Sequence, residues 1–273
     1  PNGSSYSIQY DEKGNPIEFT DPNGNKTRYQ YDNLNRVKTI TTPEGKKISH
    51  EYTASSKIQT IIFPDETTVS AVYDARGLLI SETNESGNIT IYDYDGMGNL
   101  KELSDAIGGV TKYEYDNMWN ISQVIKPDGS SISYHYNINN LLESVVDEEG
   151  YVVQFEYDNN GNLIKETNKN GNITRYNYDE TNRLVEIVNP QNASLKYEYR
   201  FDGKITRITD PLGNSKLYEY DVAGQLVKFI DEIGNTTSYT YNDLGFVESV
   251  VNPAGTKTFY TYDNLGNITK VIY

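Results

Sequence analysis

Two kinds of short segment alternate along the chain. In Thr174-Arg175-Tyr176-Asn177-Tyr178 the aromatic residues recur at every second place. A period of two belongs to a strand that presents one apolar face. In Leu184-Val185-Glu186-Ile187-Val188 the apolar residues run together with no strict alternation. Both kinds are about six residues long, rich in β-branched or aromatic residues, and far too short for helices. Gly, Pro, Asn and Asp lie between them, which reads as strand and turn in succession.

The pair of segments repeats every 21 residues, and 13 such units account for all 273. Position 0 of the unit is Tyr in every copy, from Tyr10, Tyr31 and Tyr52 through Tyr157 to Tyr262. Position 19 is Tyr in nine copies, giving pairs such as Tyr113 and Tyr115 that share one strand face. Position 6 is apolar in twelve copies and position 9 in eleven; Glu82 and Glu166 are the exceptions at position 9. Positions 6 and 9 differ in parity, so a bulge near positions 7–8 is needed to bring both to one face.

The turns carry the rest of the pattern. Asp21-Pro22-Asn23-Gly24 and Asp210-Pro211-Leu212-Gly213 have the preferred residues of a type I turn. Asp95-Gly96-Met97-Gly98 repeats the Asp-x-x-Gly spacing at the other turn. A left-handed residue is needed at the end of each turn, and Gly supplies it at least cost, then Asn. Gly87, Gly161, Gly171 and Gly213 are therefore predicted at positive φ, with Asn35, Asn140 and Asn182 in the same role. Ser56, Glu66 and Trp119 stand where Gly is expected, and Trp119 reads as an aromatic at a turn whose geometry has changed. The fold class predicted is all-β: an antiparallel β-hairpin repeat array of 13 units of 21 residues, about 26 strands, without helix. It forms a single array over 1–273. A β-propeller with 42-residue blades is the rival, but positions 4 and 14 show no 42-residue modulation.

Tyr157-Asp158-Asn159-Asn160-Gly161-Asn162-Leu163 and Tyr94-Asp95-Gly96-Met97-Gly98-Asn99-Leu100, with Asp21-Pro22-Asn23-Gly24-Asn25 at the other turn, carry a resemblance. The pattern resembles the YD repeat of the Rhs family: Rhs polymorphic toxins, shell proteins of insecticidal toxin complexes, wall-associated repeat proteins and teneurins. The resemblance covers the whole chain. It implies a curved or spiralling sheet forming part of a hollow shell, in a secreted or cell-surface protein. In the toxin members that shell encloses a C-terminal toxin, so an enclosed toxin or other protein cargo is the partner implied. The self-cleaving aspartates of those members lie in a segment after the repeats. This chain stops at Tyr273 inside a repeat, so none is carried over. Its start at Pro1 reads likewise as that of a piece of a longer protein. Twenty-six strands at about 4.8 Å make an arc of roughly 125 Å. That arc closes only around a cylinder about 40 Å across, so an open sheet with exposed ends is expected.

Composition narrows the chemistry. There is no Cys, which excludes disulfides, thiol catalysis and Cys-ligated zinc. The net charge of -15 opposes binding of a phosphate backbone, so no nucleic acid partner is expected. No apolar run approaches about 20 residues, so no membrane insertion is expected. His50 and His135 are the only imidazoles, four repeats apart, with no nucleophile motif nearby. They read as substitutions within ladders, and the chain as no enzyme. Asp21, Asn23 and Asn25 offer alternating oxygens, as in part of a calcium loop, but the bidentate Glu is missing and turn formation explains them. Catalytic, cofactor-binding and metal-binding residues are accordingly assigned to none, and no cofactor is expected. The function read is a structural scaffold. The alternative is a surface adhesin or glycan-binding module, whose tyrosine ladders would stack on sugar faces.

Overall fold

The structure is a computed structural model, and it describes residues 5–273. Twenty-six strands follow one another, with turns between them and no helix among the described residues. Odd-numbered strands have six residues and end on the position 0 tyrosine, as in β1 (Ser5–Tyr10) and β3 (Lys26–Tyr31). Even-numbered strands have five and start at position 6, as in β2 (Pro16–Thr20) and β26 (Ile268–Ile272).

The chain divides into two compact units, and each is described by itself. One comprises the chain up to Gly98 with Ser104–Gly108 and Thr237–Tyr273; the other comprises Asn99–Leu103 and Gly109–Thr236. In the second unit β11 (Val110–Tyr115) to β22 (Leu226–Ile230) pair consecutively and antiparallel without a break. An unbroken run of twelve strands excludes four-stranded propeller blades. In the first unit β1 pairs with β26 as well as with β2. The first and last strands are therefore not free edges, which corrects the expectation of exposed ends. The physical reason is that β26 presents to β1 the same edge that each even strand presents to its successor. Ser5, Tyr6 and Ser7 face Ile272, Val271 and Lys270, in the register that Lys26, Thr27 and Arg28 keep against Thr20, Phe19 and Glu18.

A bulge sits in every hairpin whose register is defined. Tyr10 faces Pro16 while Gln9 faces Glu18, so Ile17 has no opposite residue. Tyr157 faces Leu163 and Glu156 faces Lys165, which leaves Ile164 unpaired in the same way. The extra residue resets the parity of the second strand, as the apolar positions required. Tyr113 then faces Val124, Tyr115 faces Ile121, and Val124 faces Ile132 in the next hairpin. Positions 6, 9, 17, 19 and 0 thus share one face, called here the tyrosine face. The opposite face carries ion pairs between neighbouring strands, such as Lys165–Glu156 at 2.6 Å and Lys228–Glu219 at 3.0 Å. These are exposed, and each adds little to stability.

No apolar side chain is fully buried among the described residues. Cohesion therefore comes from contacts between neighbouring hairpins and not from a central core, as in other repeat arrays.

Each turn is a type I turn closed by a left-handed residue. Gly24 N–H donates to the Asp21 carbonyl at 3.0 Å, and Asp21 N–H donates to the Asn25 carbonyl at 2.9 Å. Gly87, Gly161, Gly171 and Gly213 have φ of 78°, 86°, 78° and 90°, as the turn chemistry predicts. Gly213→Ala is expected to destabilise by about 1 kcal/mol through backbone strain alone, since nothing lies near the added methyl. Gly266→Ala should cost more, because its methyl would meet Phe246 Cζ at 2.6 Å. Denaturant titrations of the two variants check this, and equal losses would contradict it.

Candidate functional site: the tyrosine face and the turn carboxylates

The position 0 tyrosines have one task in common. The ladder between hairpins runs from Thr20–Lys26 to Glu18–Arg28 and stops there. The Pro16 carbonyl lies beyond its end, next to the bulge. Tyr31 Oη, from the following hairpin, donates to that carbonyl at 2.8 Å. The same bond recurs from Tyr52 to Val37, Tyr115 to Leu100, Tyr157 to Leu142 and Tyr262 to Val247. A half-buried carbonyl without a partner is costly, and the hydroxyl removes that cost. This accounts for Tyr, and never Phe, at position 0. Position 19 makes no such bond and tolerates His50, Ala71 and Phe155.

The ring faces of several position 0 tyrosines are also occupied, by the residue that ends a turn of the preceding repeat. The Arg36 guanidinium lies 4.4 Å from the centre of the Tyr52 ring, Arg183 lies 4.9 Å from Tyr199, and the Phe246 ring stacks on Tyr262 at 5.0 Å. Cation–π and stacking contacts of this kind tie turn to strand between neighbouring repeats. Arg183 also reaches the Arg200 carbonyl at 3.1 Å. Position 19 lacks the hydroxyl bond of position 0. Tyr113, Tyr134 and Tyr197 are half-buried, and no hydrogen bond reaches their hydroxyls among the described residues. Where Glu replaces the apolar residue at position 9, the next tyrosine bonds to it: Tyr92 Oη meets Glu82 at 2.7 Å, and Tyr176 Oη meets Glu166 at 3.2 Å.

The two histidines lie in different units and on different faces of their strands. His50 is at position 19 on the tyrosine face, opposite Ile61. His135 is at position 20 on the ion-paired face, opposite Ser144. The His50 ring lies beside Tyr52, and its Nδ1 is buried without a partner. Trp119 corrects the sequence reading. Its φ is 66° and its N–H donates to the Asp116 carbonyl at 3.1 Å, so the turn geometry is unchanged and only the residue differs. The indole is 54% exposed. The ladder registers on either side fix that turn more strongly than the preference of Trp against positive φ. Trp119→Gly should therefore raise stability by about 1 kcal/mol, as relief of left-handed strain. A lower melting temperature in that variant would show that the indole makes contacts worth more than the strain.

The carboxylates at position 11 serve the turns. Asp21 Oδ1 accepts the N–H groups of Asn23 and Asn25, both at 2.8 Å, and Oδ2 accepts Asn25 Nδ2 at 2.7 Å. Both carboxylate oxygens of Asp21 are thus taken by donors of their own turn. At position 1, Asp263 is bound in the same way by Leu265 and Asn267. These bonds, the Asn side chain foremost, hold Asp21 and Asp263 below the ordinary 3.8 of a carboxyl. Arg183 N–H does the same for Asp179. A lowered native pKa gives stability that is present above the unfolded value and is lost as pH falls through the native one. The melting temperature should hold down to about pH 4 and fall below it. Asp21→Asn keeps the turn acceptor and should flatten the fall slightly; no fall between pH 4 and pH 2 in the parent would contradict this account.

Repeated hairpins, a tyrosine bond from each unit to the one before it, and Asp-closed turns define the class: an all-β hairpin-repeat scaffold. The RHS Repeat model matches residues 10–47, 73–106, 136–173, 157–194, 202–231, 220–257 and 241–273. With well over half of its length matched, the chain belongs to the RHS repeat family. Comparison with curated proteins gives no matching relative. Among solved structures it is similar to TcdB2-TccC3 without its hypervariable C-terminal region, at 17% identity and TM-score 0.57, over 98% of this chain and 17% of that one. It is likewise similar to TcdB2-TccC3-TEV, at 17% identity and TM-score 0.52, over 97% of this chain and 16% of that one. These likenesses show the fold. The chain spans about a sixth of the length of those it matches.

Proposed function

We propose that this array is a segment of the wall of an encapsulating shell, around a toxin or other protein cargo, in a secreted or surface Rhs-type protein. It acts by holding its shape and not by turnover. One observation carries the reading: the feature common to all repeats, the position 0 tyrosine, is engaged in joining each hairpin to its neighbour. The hydroxyl, and in several repeats the ring as well, is committed to cohesion, which is what a wall requires. The similarity in fold to TcdB2-TccC3 supports it.

The test is protection. In the full gene product, a segment enclosed by the wall should resist a protease that degrades the same segment expressed alone. Equal digestion of the two would overturn the encapsulation reading. The glycan-binding reading has a narrower support, the half-buried position 19 tyrosines whose hydroxyls bond to nothing. Loss of sugar binding in a Tyr113→Phe, Tyr134→Phe and Tyr197→Phe triple variant, with an unchanged melting temperature, would favour it.

A further inference from the structure

Among the described residues, every ladder defined in the first unit except one joins strands that are consecutive in the chain. The exception is β1 with β26, and it repeats the register and the tyrosine bond of the others. Ser5–Ser7 against Ile272–Lys270 has the register of any junction between hairpins. Tyr10 Oη donates to the Ile268 carbonyl at 3.1 Å, as Tyr31 Oη donates to that of Pro16. Asp263 neighbours the Tyr10 hydroxyl as Asp11 neighbours that of Tyr31. The edge of β26 therefore has nothing that distinguishes the first hairpin of its own chain from the first hairpin of a second copy. Only the connection through the intervening chain favours the intrachain pairing, and that advantage falls as concentration rises.

We infer that the β1–β26 seam is an exchangeable junction, and that its alternative occupant is β1 of a second copy of this chain. The exchange is strand addition to a sheet edge: backbone hydrogen bonds bind, and the pockets for Tyr6 and Tyr10 set the register. Tyr6 stacks on Phe19 within its own hairpin and meets the Tyr273 ring edge-on at 5.9 Å, so the incoming strand brings part of its own packing surface. The contact runs head to tail, from β1 of one copy to β26 of another. This inference does not depend on any cargo.

The chain has no cysteine, so cross-links can be placed at will. Ser7 and Lys270 are register partners at the seam. A Ser7→Cys chain and a Lys270→Cys chain, each with one thiol, are unfolded together, refolded at low and at high protein concentration, and oxidised. The expected result is a mixed disulfide between the two chains that rises with refolding concentration. It should exceed the Ser7→Cys and Lys270→Cys homodimers at least severalfold. A mixed product no more abundant than the homodimers would overturn the exchange. Light scattering on the unsubstituted chain after the same refolding removes any effect of the substitutions. Oligomers that grow with refolding concentration support the inference, and monomer at every concentration refutes it. The double variant Ser7→Cys with Lys270→Cys, oxidised at low concentration, should give the intrachain cross-link, and its absence would remove the seam itself.

Discussion

Tyr157→Ala should lower stability by about 2–3 kcal/mol, and Tyr157→Phe by about 1 kcal/mol. The larger figure combines the loss of a half-buried ring with the loss of its hydrogen bond. The smaller isolates the bond: Phe keeps the ring, but the Leu142 carbonyl loses the hydroxyl that lies 2.8 Å away. Tyr134→Phe is the control. Its hydroxyl has no bond to lose, and its cost should be near zero. The same comparison at the chain ends separates a free edge from a paired one. Terminal repeats in an open array have fewer neighbours and tolerate more. Here Tyr10 has its acceptor at Ile268, so Tyr10→Phe should cost as much as Tyr157→Phe. Urea titrations of the four variants decide the matter. Equal and negligible losses for Tyr157→Phe and Tyr134→Phe would remove the hydroxyl from the account of position 0.

That role could not be read from the chain, although most of the fold could. The turns are legible because their chemistry is local. Asp21 binds Asn23 and Asn25, and Gly24 closes the turn, all within five residues. The bulge was legible for a related reason: only one extra residue reconciles apolar positions 6 and 9. The acceptor of the tyrosine hydroxyl is different. It lies 15 residues back in the chain and beyond the end of a ladder, so its identity depends on a register that periodicity alone does not supply. The cover over the tyrosine rings was hidden for another reason. Arg36 and Arg183 share a position with Phe246 but not its chemistry, and only placement beside the ring makes the three alike. The pairing of β1 with β26 brings Tyr10 to a carbonyl 258 positions away, which no local pattern encodes. Trp119 fails for the opposite reason: the local preference was read correctly, and the surrounding ladders overrode it.

The second large effect is expected at alkaline pH, where the chain should unfold cooperatively as its tyrosines ionise. Burial pushes the hydroxyls of Tyr31, Tyr136, Tyr157 and Tyr178 above the ordinary value of 10.0. The carboxylates of Asp11, Asp116 and Asp158 add to the shift at Tyr31, Tyr136 and Tyr178. Tyr10 follows the same order, burial first and then Asp263 from the far end of the chain. A native pKa raised above the unfolded one means that the folded chain holds protons that the unfolded chain releases. The stability linked to them is complete below pH 10 and is lost as pH rises through the native values. The loss goes further than the charge, because a phenolate cannot donate to the carbonyl beside the bulge, and each repeat then loses its bond to the one before. Several such sites act in one direction, so modest shifts add. Absorbance of phenolate and circular dichroism, followed together from pH 9 to pH 13, give the check. The tyrosines whose hydroxyls are shifted upward should ionise in step with the loss of strand signal. Asp11→Asn should remove the charge beside Tyr31 and lower the shift there. A single titration near pH 10 with the strand signal intact would mean that the position 0 hydroxyls can ionise without consequence, and the tie between repeats would have to be sought in the rings alone.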